Sequence, residues 1–299
     1  MAWRIVQITS ACKLSVKNRQ LLYEPEDGEK VTLPLEDIAV VILESKHILI
    51  TSTLLSELAE YGVCLFSCDG THTPNGVYTA FGNHSRHSEV ANLQIEASEP
   101  LKKRLWQKIV KAKIHNQAEV LRRVGNRFCD KLEEIAKNVQ SGDTTNGEAF
   151  AAGLYWDNLF ENFKRHNADI TNAALNYGYA IVRGAVARSL VGAGLLPCFG
   201  LHHANKLNAF NLADDIIEPF RAFVDWAVVK SDLGEKDSLE KQDKQLLVSV
   251  LTRNCSYDDE ETTILKAVEQ TAYSLVNALK DKESKSLVLP EFSKTPLFE

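Results

Sequence analysis

The sequence predicts an α+β protein of two domains, a small N-terminal β-sheet domain at residues 1–80 and a larger all-α domain at residues 81–299. Residues 3–82 hold short segments rich in β-branched residues, separated by polar turns, which is typical of strands. From about residue 90 the apolar residues recur at three- and four-residue spacing, which is typical of helices. The change of pattern places the domain boundary near 76–90.

The first domain is predicted to contain mainly short strands. A short helix is expected to open with residues 52–58, with Ser52 or Thr53 as a candidate N-cap, and to end at Tyr61-Gly62. The segment THTPNG (71–76) predicts a turn or loop, because it combines polar residues with Pro and Gly. The expected strands are WRIVQIT, KLSVKNRQLLY, VTLPL, IAVVILE, ILIT and VCLFSCD.

The second domain is predicted to be helical over most of residues 90–295. Its last segment, LVLPEFSKTPLFE, is expected to be poorly ordered unless it docks onto the domain. The expected helices are 99–123, 127–140, 147–161, 168–192, 211–229, 241–254 and 259–280.

Composition narrows the class of protein. The apolar share is 44%, and no apolar run approaches the roughly 20 residues that a membrane helix needs. The N-terminus lacks the basic and apolar segments of a signal peptide, and the scattered cysteines form no zinc pattern. These features predict a cytoplasmic protein with reduced thiols and no membrane partner.

Charge is unevenly distributed along the chain. The formal net charge of −6 argues weakly against nucleic-acid binding, but residues 102–127 carry nine Lys or Arg and a single acid, Glu119. On a helix these bases form a stripe, which is either an ordinary solvated face or a surface that follows a phosphate backbone. In the segment NHSRHSE (83–89), Arg86 is either part of a polar linker or a further phosphate contact. The residues of the stripe are Arg104, Lys108, Lys111, His115 and Arg122, opposite an apolar side of Trp106, Val110, Ile114 and Leu121.

The segment GLHHANKLNAFNLADDIIEPFR (200–221) is a candidate metal site. His203 and Glu218 are fifteen residues apart, about 22 Å along a continuous helix, so they can share an ion only if the chain turns between them. Three asparagines favour such a turn, and Asn211 is a good N-cap for the helix that follows. The alternative is a solvated helix face on which Glu218 pairs with Arg221. These residues alone leave both interpretations open.

A third candidate ligand precedes that segment. In NGEAFAAGLYWDNLF (146–160), Glu148 lies in the first turn of a predicted helix, where a carboxylate is usually only a favourable partner of the helix dipole. Its significance rises if it meets His203 and Glu218, because two carboxylates and an imidazole suit Mg²⁺ or Mn²⁺.

Four segments of the chain are distinctive: LWQKIVKAKIHNQAEVL, GEAFAAGLYW, NAALNYGYAIVRGAVARSLVGAGLLP and GLHHANKLNAFNLADDIIEPFRAFVD. They resemble a known family, the CRISPR-associated spacer-acquisition integrase and endonuclease, the larger of the two near-universal adaptation proteins. The resemblance covers almost the whole chain and is greatest to the short form found beside type II effector nucleases.

The resemblance implies a set of site residues. The metal ligands and catalytic residues of the family fall on Glu148, His203 and Glu218, and Asp215 matches a supporting acid. His202 receives no role. Gly153 departs from the family pattern, where relatives often have a basic residue, which puts one phosphate contact in doubt. The candidate DNA contacts remain Arg86, Arg104, Lys108, Lys111 and Arg122.

The resemblance also implies an activity and partners. The enzyme would insert short captured DNA into a CRISPR repeat array by transesterification, using Mg²⁺ or Mn²⁺, and would also cleave DNA. It would form a homodimer through its β domain and assemble with the small second adaptation protein as a heterohexamer on double-stranded DNA. The RNA-guided effector nuclease would be a further partner.

Two other functions are compatible with the residues. One is a stand-alone metal-dependent nuclease that acts on branched DNA in repair, since it would use the same site. The other is a non-catalytic DNA-binding scaffold that uses the basic stripe. The complete set of Glu148, His203 and Glu218 argues against the scaffold.

Overall fold

The computed structural model describes residues 2, 4–70, 74–80, 85–165, 167–231, 233–234 and 236–293. The chain divides into two compact units, Met1–Ser85 and Arg86–Glu299. The first is built mainly of strands and the second mainly of helices, so the protein is α+β as predicted. Over the described residues, no helix is both long and apolar enough to span a bilayer.

The first unit contains two β-sheets and a helix, α1 (Ser52–Glu60). One sheet has the strand order β1-β5-β7-β8, in which β1, β5 and β7 are parallel and β8 is antiparallel to β7. The other has the order β4-β3-β2-β6 and is antiparallel except where β2 meets β6. The strands are β1 (Arg4–Ile8), β2 (Cys12–Lys17), β3 (Gln20–Pro25), β4 (Val31–Pro34), β5 (Ile38–Leu43), β6 (Ile48–Ile50), β7 (Cys64–Cys68) and β8 (Pro74–Tyr78).

Apolar side chains from both sheets and α1 form one core in this unit. Strand β5 is buried at five consecutive positions, as expected for a strand between two parallel neighbours. Helix α1 contributes Leu54 and Leu58, both fully buried. The rest of the core comes from Ile8, Cys12, Leu14, Leu21, Leu35, Ile38, Val41, Val63 and Leu65.

Three details of the first unit differ from the prediction. KLSVKNRQLLY is a hairpin rather than one strand, because Asn18 and Arg19 adopt positive φ angles of 52° and 60° that turn the chain between β2 and β3. The cap of α1 is Thr51, whose hydroxyl accepts a hydrogen bond from the Leu54 N–H at 3.3 Å. The prediction of a turn for THTPNG is wrong at residues 74–76, which belong to the edge strand Pro74–Tyr78, where Pro is tolerated. Residues 71–73 lie outside the described residues.

The second unit is organised around a long central helix, α3. Its predicted bounds of 99–123 are those of the structure, and α4, α5 and α8 pack against it. The predicted apolar side, Trp106, Val110, Ile114 and Leu121, is fully buried or nearly so. The helices are α2 (His87–Ile95), α3 (Glu99–Arg123), α4 (Cys129–Asn138), α5 (Gly147–Leu159), α6 (Ile170–Gly192), α7 (Asn211–Ile216), α8 (Glu218–Lys230), α9 (Lys241–Ser249) and α10 (Ile264–Asp281).

The helix predicted over 211–229 is broken in two. Pro219 has no N–H to donate to the carbonyl of Asp215, so the hydrogen-bond ladder is interrupted where α7 ends and α8 begins. Asn211 does not act as the N-cap. Its side chain instead ties the preceding loop together, donating to the carbonyls of Cys198, Asn205 and Asn208.

A β-hairpin lies where the last two predicted helices, 241–254 and 259–280, were expected to approach each other in the sequence. Strands β9 (Asn254–Tyr257) and β10 (Glu260–Thr263) pair in antiparallel fashion. Asp258 and Asp259 form the two-residue turn with φ angles of 53° and 64°. The helical prediction was therefore wrong at the end of the first range, since α9 ends at Ser249, and at the start of the second, since α10 begins at Ile264.

The C-terminal segment docks as far as the structure describes it. Leu287 and Leu289 are buried, and the ring of Phe292 stacks on Phe223 of α8 at a centroid distance of 4.4 Å. Ser256 and Glu291 form an isolated antiparallel bridge. Residues 294–299 lie outside the described residues.

Candidate functional site

Two carboxylates from separate helices meet at one lysine in the second unit. Lys113 Nζ, from the middle of α3, lies 2.6 Å from Glu148 Oε1 of α5 and 2.5 Å from Glu218 Oε2 of α8. The two oxygens are therefore at most about 5 Å apart, the sum of these two distances. Glu218 opens α8 and Glu148 lies in the first turn of α5, so both carboxylates are at positive helix ends. The sequence prediction missed Lys113.

Local structure holds Glu148 in place. The carboxylate of Asp143 accepts hydrogen bonds from the N–H groups of Gly147, at 2.8 Å, and Glu148, at 2.9 Å. Asn146, just before the helix, adopts a left-handed conformation with φ of 56°. The turn therefore satisfies the first amides of α5 without using the Glu148 side chain, which remains available to Lys113.

Glu218 is buried and strongly ionised. Burial raises the pKa of its carboxyl, but Lys113 and Arg221 outweigh burial and hold the pKa at about 2. Arg221 Nε donates to Glu218 Oε1 at 2.8 Å, so the Glu218–Arg221 pair predicted from the sequence is present. The carboxylate of this pair is buried rather than solvated, since only 6% of the Glu218 side chain is exposed, whereas 30% of the Arg221 side chain is exposed.

His203 is oriented by a buried carboxylate. Asp215 is fully buried in α7, and its Oδ1 lies 2.7 Å from His203 Nδ1. Since an ionised carboxylate only accepts, Nδ1 carries a proton, and Nε2 is left for another ligand. The hydrogen bond to Asp215 raises the pKa of the His203 imidazole, although burial opposes the shift.

Asp215 also organises the loop that carries both histidines. Its oxygens accept hydrogen bonds from the N–H groups of Leu201 (2.5 Å), His202 (3.1 Å) and His203 (3.1 Å). The loop passes so close that a Cβ on Gly200 would lie 2.3 Å from the His203 carbonyl oxygen and 2.8 Å from Asp215 Oδ2. The structure therefore needs glycine at position 200.

The ring of Trp106 packs against both His202 and His203. Its ring stacks flat on His202 at 4.3 Å with an interplanar angle of 2°, and meets His203 edge-on at 5.8 Å. Stacking on a buried indole fixes the His202 ring and limits the positions open to His203. This contact gives His202, which had no role in the sequence analysis, a packing role.

The residues present match the chemistry of a hard divalent cation. Across the described residues, no three His, Cys, Asp or Glu side chains lie close enough to hold a metal ion in this conformation. Glu148 and Glu218 nonetheless share a cation, the Lys113 ammonium, between their oxygens. Oxygen donors of this kind with one imidazole suit Mg²⁺ or Mn²⁺. A carboxylate on the far ring nitrogen, as on His203, is the usual companion of a ligating histidine.

A second buried carboxylate joins the helices that carry the site. Asp225 of α8 is fully buried and accepts hydrogen bonds from the hydroxyls of Tyr155 in α5, at 2.9 Å, and Tyr179 in α6. Burial raises the pKa of Asp225 to about 6, although both hydroxyls and Arg221 oppose the shift. This network could not be predicted from the sequence, because the two tyrosines come from segments distant from Asp225.

The raised pKa of Asp225 predicts a pH-dependent stability. A carboxyl with a higher pKa in the folded state stabilises fully below its unfolded pKa, near 3.8, and this contribution is lost as pH rises through about 6. The loss amounts to about 3 kcal/mol. The variant Asp225→Asn lacks the titrating group and should not show this loss. We therefore expect the wild-type free energy of unfolding minus that of the variant to be smaller at pH 7.5 than at pH 4, as measured by urea denaturation.

The control for this prediction is Asp157→Asn, an exposed residue of α5. Its unfolding free energy should follow that of the wild type at every pH. Parallel curves for wild type and Asp225→Asn would contradict the prediction.

The candidate DNA contacts differ in their contacts within the protein and in their exposure to solvent. Lys108 and Lys111 donate to the carbonyls of Lys285 and Lys137, and Arg122 is paired with Glu119 and Glu133. Lys108 and Lys111 line a cavity of about 650 Å³ that Asp258, Asp259 and Glu133 also line, so its charge is mixed. The side chains of Arg86, 70% exposed, and Arg104, also exposed, point to solvent; Arg86 lies 3.9 Å from Glu89.

Fold and site together define a two-domain α+β protein with a buried acidic centre and an oriented histidine in its helical unit. The family model of CRISPR associated protein Cas1 matches residues 5–254. The chain therefore belongs to the Cas1 family.

Known relatives match nearly the whole chain. It is 44% identical over 297 residues to the CRISPR-associated endonuclease Cas1 of Neisseria meningitidis serogroup C (strain 8013), covering 97% of each chain. It is 23% identical to CRISPR-associated endonuclease Cas1 1 of Francisella tularensis subsp. novicida (strain U112), covering 88% of this chain and 91% of the relative.

Solved structures share the fold. A casposase bound to integration product has a TM-score of 0.77 at 19% identity, covering 100% of this chain and 95% of that one. A CAS1 protein from Thermotoga maritima has a TM-score of 0.75 at 18% identity, covering 98% and 100%. A Cas6-RT-Cas1–Cas2 complex contains a chain with a TM-score of 0.70 at 19% identity, covering 98% of this chain and 36% of that one.

Proposed function

We propose that the protein is a metal-dependent DNA integrase and endonuclease that inserts short captured duplexes into a CRISPR repeat array. The observation that carries the proposal is the cation position shared by Glu148 and Glu218, together with a histidine that Asp215 orients in the loop before α7. Family membership gives this acidic centre a substrate class. The relative from Neisseria meningitidis is named an endonuclease, and the casposase is bound to an integration product.

The proposed reaction is a transesterification. A 3′-hydroxyl of the captured DNA attacks a phosphodiester at the edge of a repeat, so one phosphodiester bond forms as another breaks and no nucleotide cofactor is consumed. With water as the nucleophile, the same centre would cut DNA. A bound Mg²⁺ or Mn²⁺ would stabilise the negative charge that grows on the phosphate oxygens.

The protein side chains have separate proposed tasks at this centre. Glu148 and Glu218 supply the negative charge that holds the metal, and Arg221 keeps the Glu218 carboxylate in its position. Asp215 holds the His203 ring through Nδ1, so that Nε2 is left to bind the metal. Arg104 and Arg86 are the proposed DNA contacts with exposed side chains.

The proposed partners are double-stranded DNA, a second copy of the chain and the small second adaptation protein. One structural neighbour is part of a Cas6-RT-Cas1–Cas2 complex, which supports the pairing with that small protein. Dimerisation through the β unit, and a heterohexamer on DNA in the prokaryotic cytoplasm, are part of the same proposal.

Removal of the metal tests the proposed function directly. The purified protein, its small partner, a short duplex and a plasmid with one repeat should give joined product with Mg²⁺ or Mn²⁺. We expect EDTA to abolish joining. Duplexes with 3′-dideoxy ends should lose joining while hydrolytic nicking of the plasmid continues.

Two outcomes of this assay would contradict the proposal. Joining that survives EDTA would remove the metal from the mechanism, and joining of dideoxy ends would remove the 3′-hydroxyl. A plasmid without a repeat is the matched control. Efficient cutting of branched DNA with no joining at a repeat would favour a repair nuclease.

A further inference from the structure

Lys113 is a charged side chain in an unusual place. Only 12% of it is exposed, and it enters the acidic centre from the middle of α3, a helix whose neighbouring residues Ile109, Ile114 and Asn116 are fully buried. An ammonium group in such surroundings is costly unless it is paired. Glu148 and Glu218, on two other helices, provide the pairing.

Lys113 places a positive charge between the two carboxylates, because a lysine side chain is ordinarily protonated at neutral pH. The centre therefore holds two carboxylates neutralised by an ammonium group on Lys113 and a guanidinium group on Arg221. The protein supplies its own cation at this position.

The two oxygens of Glu218 have different cationic partners. Glu218 Oε2 is buried, and its cationic neighbour is Lys113 Nζ at 2.5 Å. Glu218 Oε1, in contrast, has the aligned donor Arg221 Nε. Oε2 is therefore the Glu218 oxygen that can change partner while Arg221 keeps the carboxylate in place.

The position of the ammonium group overlaps with that of a metal ion. Oxygen ligands lie about 2.0–2.1 Å from Mg²⁺, so an ion bound to Glu148 Oε1 and Glu218 Oε2 would fall within a few ångströms of where Nζ now lies. Two cations that close repel strongly in a buried site. They cannot both use these two oxygens.

We propose that Lys113 is an exchangeable counter-ion: it pairs with Glu148 and Glu218 in the metal-free protein and leaves them when Mg²⁺ or Mn²⁺ binds. The inference rests on the proposed function, since it takes these carboxylates as metal ligands. In the absence of metal, Lys113 stabilises the centre, where two carboxylates would otherwise lie together with only Arg221 to offset their charge. By the same competition it lowers the affinity for the metal, because each ion must displace the ammonium group.

The test compares metal affinity in the absence of DNA. Mn²⁺ binding to the full-length protein is measured by calorimetry and by electron paramagnetic resonance for wild type, Lys113→Met and Lys113→Gln. Methionine keeps the length of the buried chain without charge. Glutamine keeps a neutral donor for the carboxylates, so it guards against failure of the first variant to fold. Lys103→Met, an exposed residue of the same helix, is the matched control.

We expect both Lys113 variants to bind Mn²⁺ at least about tenfold more tightly than the wild type, equivalent to about 1.4 kcal/mol. Lys103→Met should bind like the wild type. Without metal the Lys113 variants should melt at a lower temperature, and Mn²⁺ should raise their melting temperature more than that of the wild type. Equal or weaker Mn²⁺ binding in both folded variants would overturn the exchange.

A fourth variant separates the two proposals. If Glu148→Gln weakens Mn²⁺ binding while the Lys113 variants leave it unchanged, the metal centre stands and the exchange fails. If Glu148→Gln has no effect on Mn²⁺ binding, the proposed metal-site assignment is wrong, and the proposed exchange of Lys113 is overturned with it.

Discussion

Glu148→Gln is expected to reduce both DNA joining and DNA cutting by about a thousandfold, equivalent to about 4 kcal/mol. The substitution removes one of the two charges that would hold the metal and leaves a side chain of the same length. Joining measured with the repeat plasmid, the duplex and the small partner gives the first readout. Nicking of plasmid alone gives the second, and both should fall together if one centre performs both reactions.

The fold should survive this substitution. Glu148 is 25% exposed, and the start of α5 is held through Asp143 and main-chain amides rather than through the Glu148 carboxylate. A glutamine can still accept a hydrogen bond from Lys113. Glu218 is less suitable for this test, because its loss would leave the mostly buried Lys113 and the partly buried Arg221 without their common partner.

The matched control is Glu134→Gln, an exposed residue of α4 that pairs with Lys131. It should join and cut DNA like the wild type. A folded Glu148→Gln protein that joined DNA at near wild-type rate with Mn²⁺ would exclude Glu148 as a ligand.

Long amphipathic elements could be predicted from the sequence, whereas short turns could not. The bounds of α3 were correct because twenty-five residues repeat one pattern. The turns at Asn18-Arg19 and Asp258-Asp259 were missed because neither contains glycine, the usual sign of a two-residue hairpin turn. Each pair adopts positive φ only because flanking strands pair across it, and that pairing is not a local property.

The candidate site was predictable in its spacing but not in its contacts. The distance between His203 and Glu218 required a turn, and residues 201–210 contain no helix or strand. Lys113 could not be singled out, because it is one of nine basic residues between 102 and 127 and nothing local separates it from the others. Its partners come from α5 and α8, so only the packing of three helices reveals it.

Asp215→Asn is expected to weaken Mn²⁺ binding by about 10- to 100-fold and to lower the stability of the protein. Asp215 is fully buried and accepts bonds from Leu201, His202 and His203 through both of its oxygens. An amide has one oxygen and one NH₂ group. In either orientation the NH₂ group faces an N–H donor that the carboxylate accepted, so donors are left buried without a partner.

The two effects have separate measurements and separate causes. The loss of accepted hydrogen bonds should lower the free energy of unfolding by about 2–4 kcal/mol, which appears as a lower urea midpoint. The loss of the charge on Oδ1 frees the His203 ring from its fixed orientation, which should appear as weaker Mn²⁺ binding in calorimetry even where the protein is fully folded.

Asp214→Asn provides the comparison, since it neutralises the adjacent carboxylate of the same helix. Asp214 pairs with Arg183 and with the side chain of Asn208, so its loss should loosen the loop without changing the bond that orients His203. We expect a lower urea midpoint and Mn²⁺ affinity close to that of the wild type. Because both variants remove one negative charge near the centre, a general electrostatic effect would weaken both alike. An Asp215→Asn protein that bound Mn²⁺ as tightly as Asp214→Asn would show that the orientation of His203 does not contribute to the metal site.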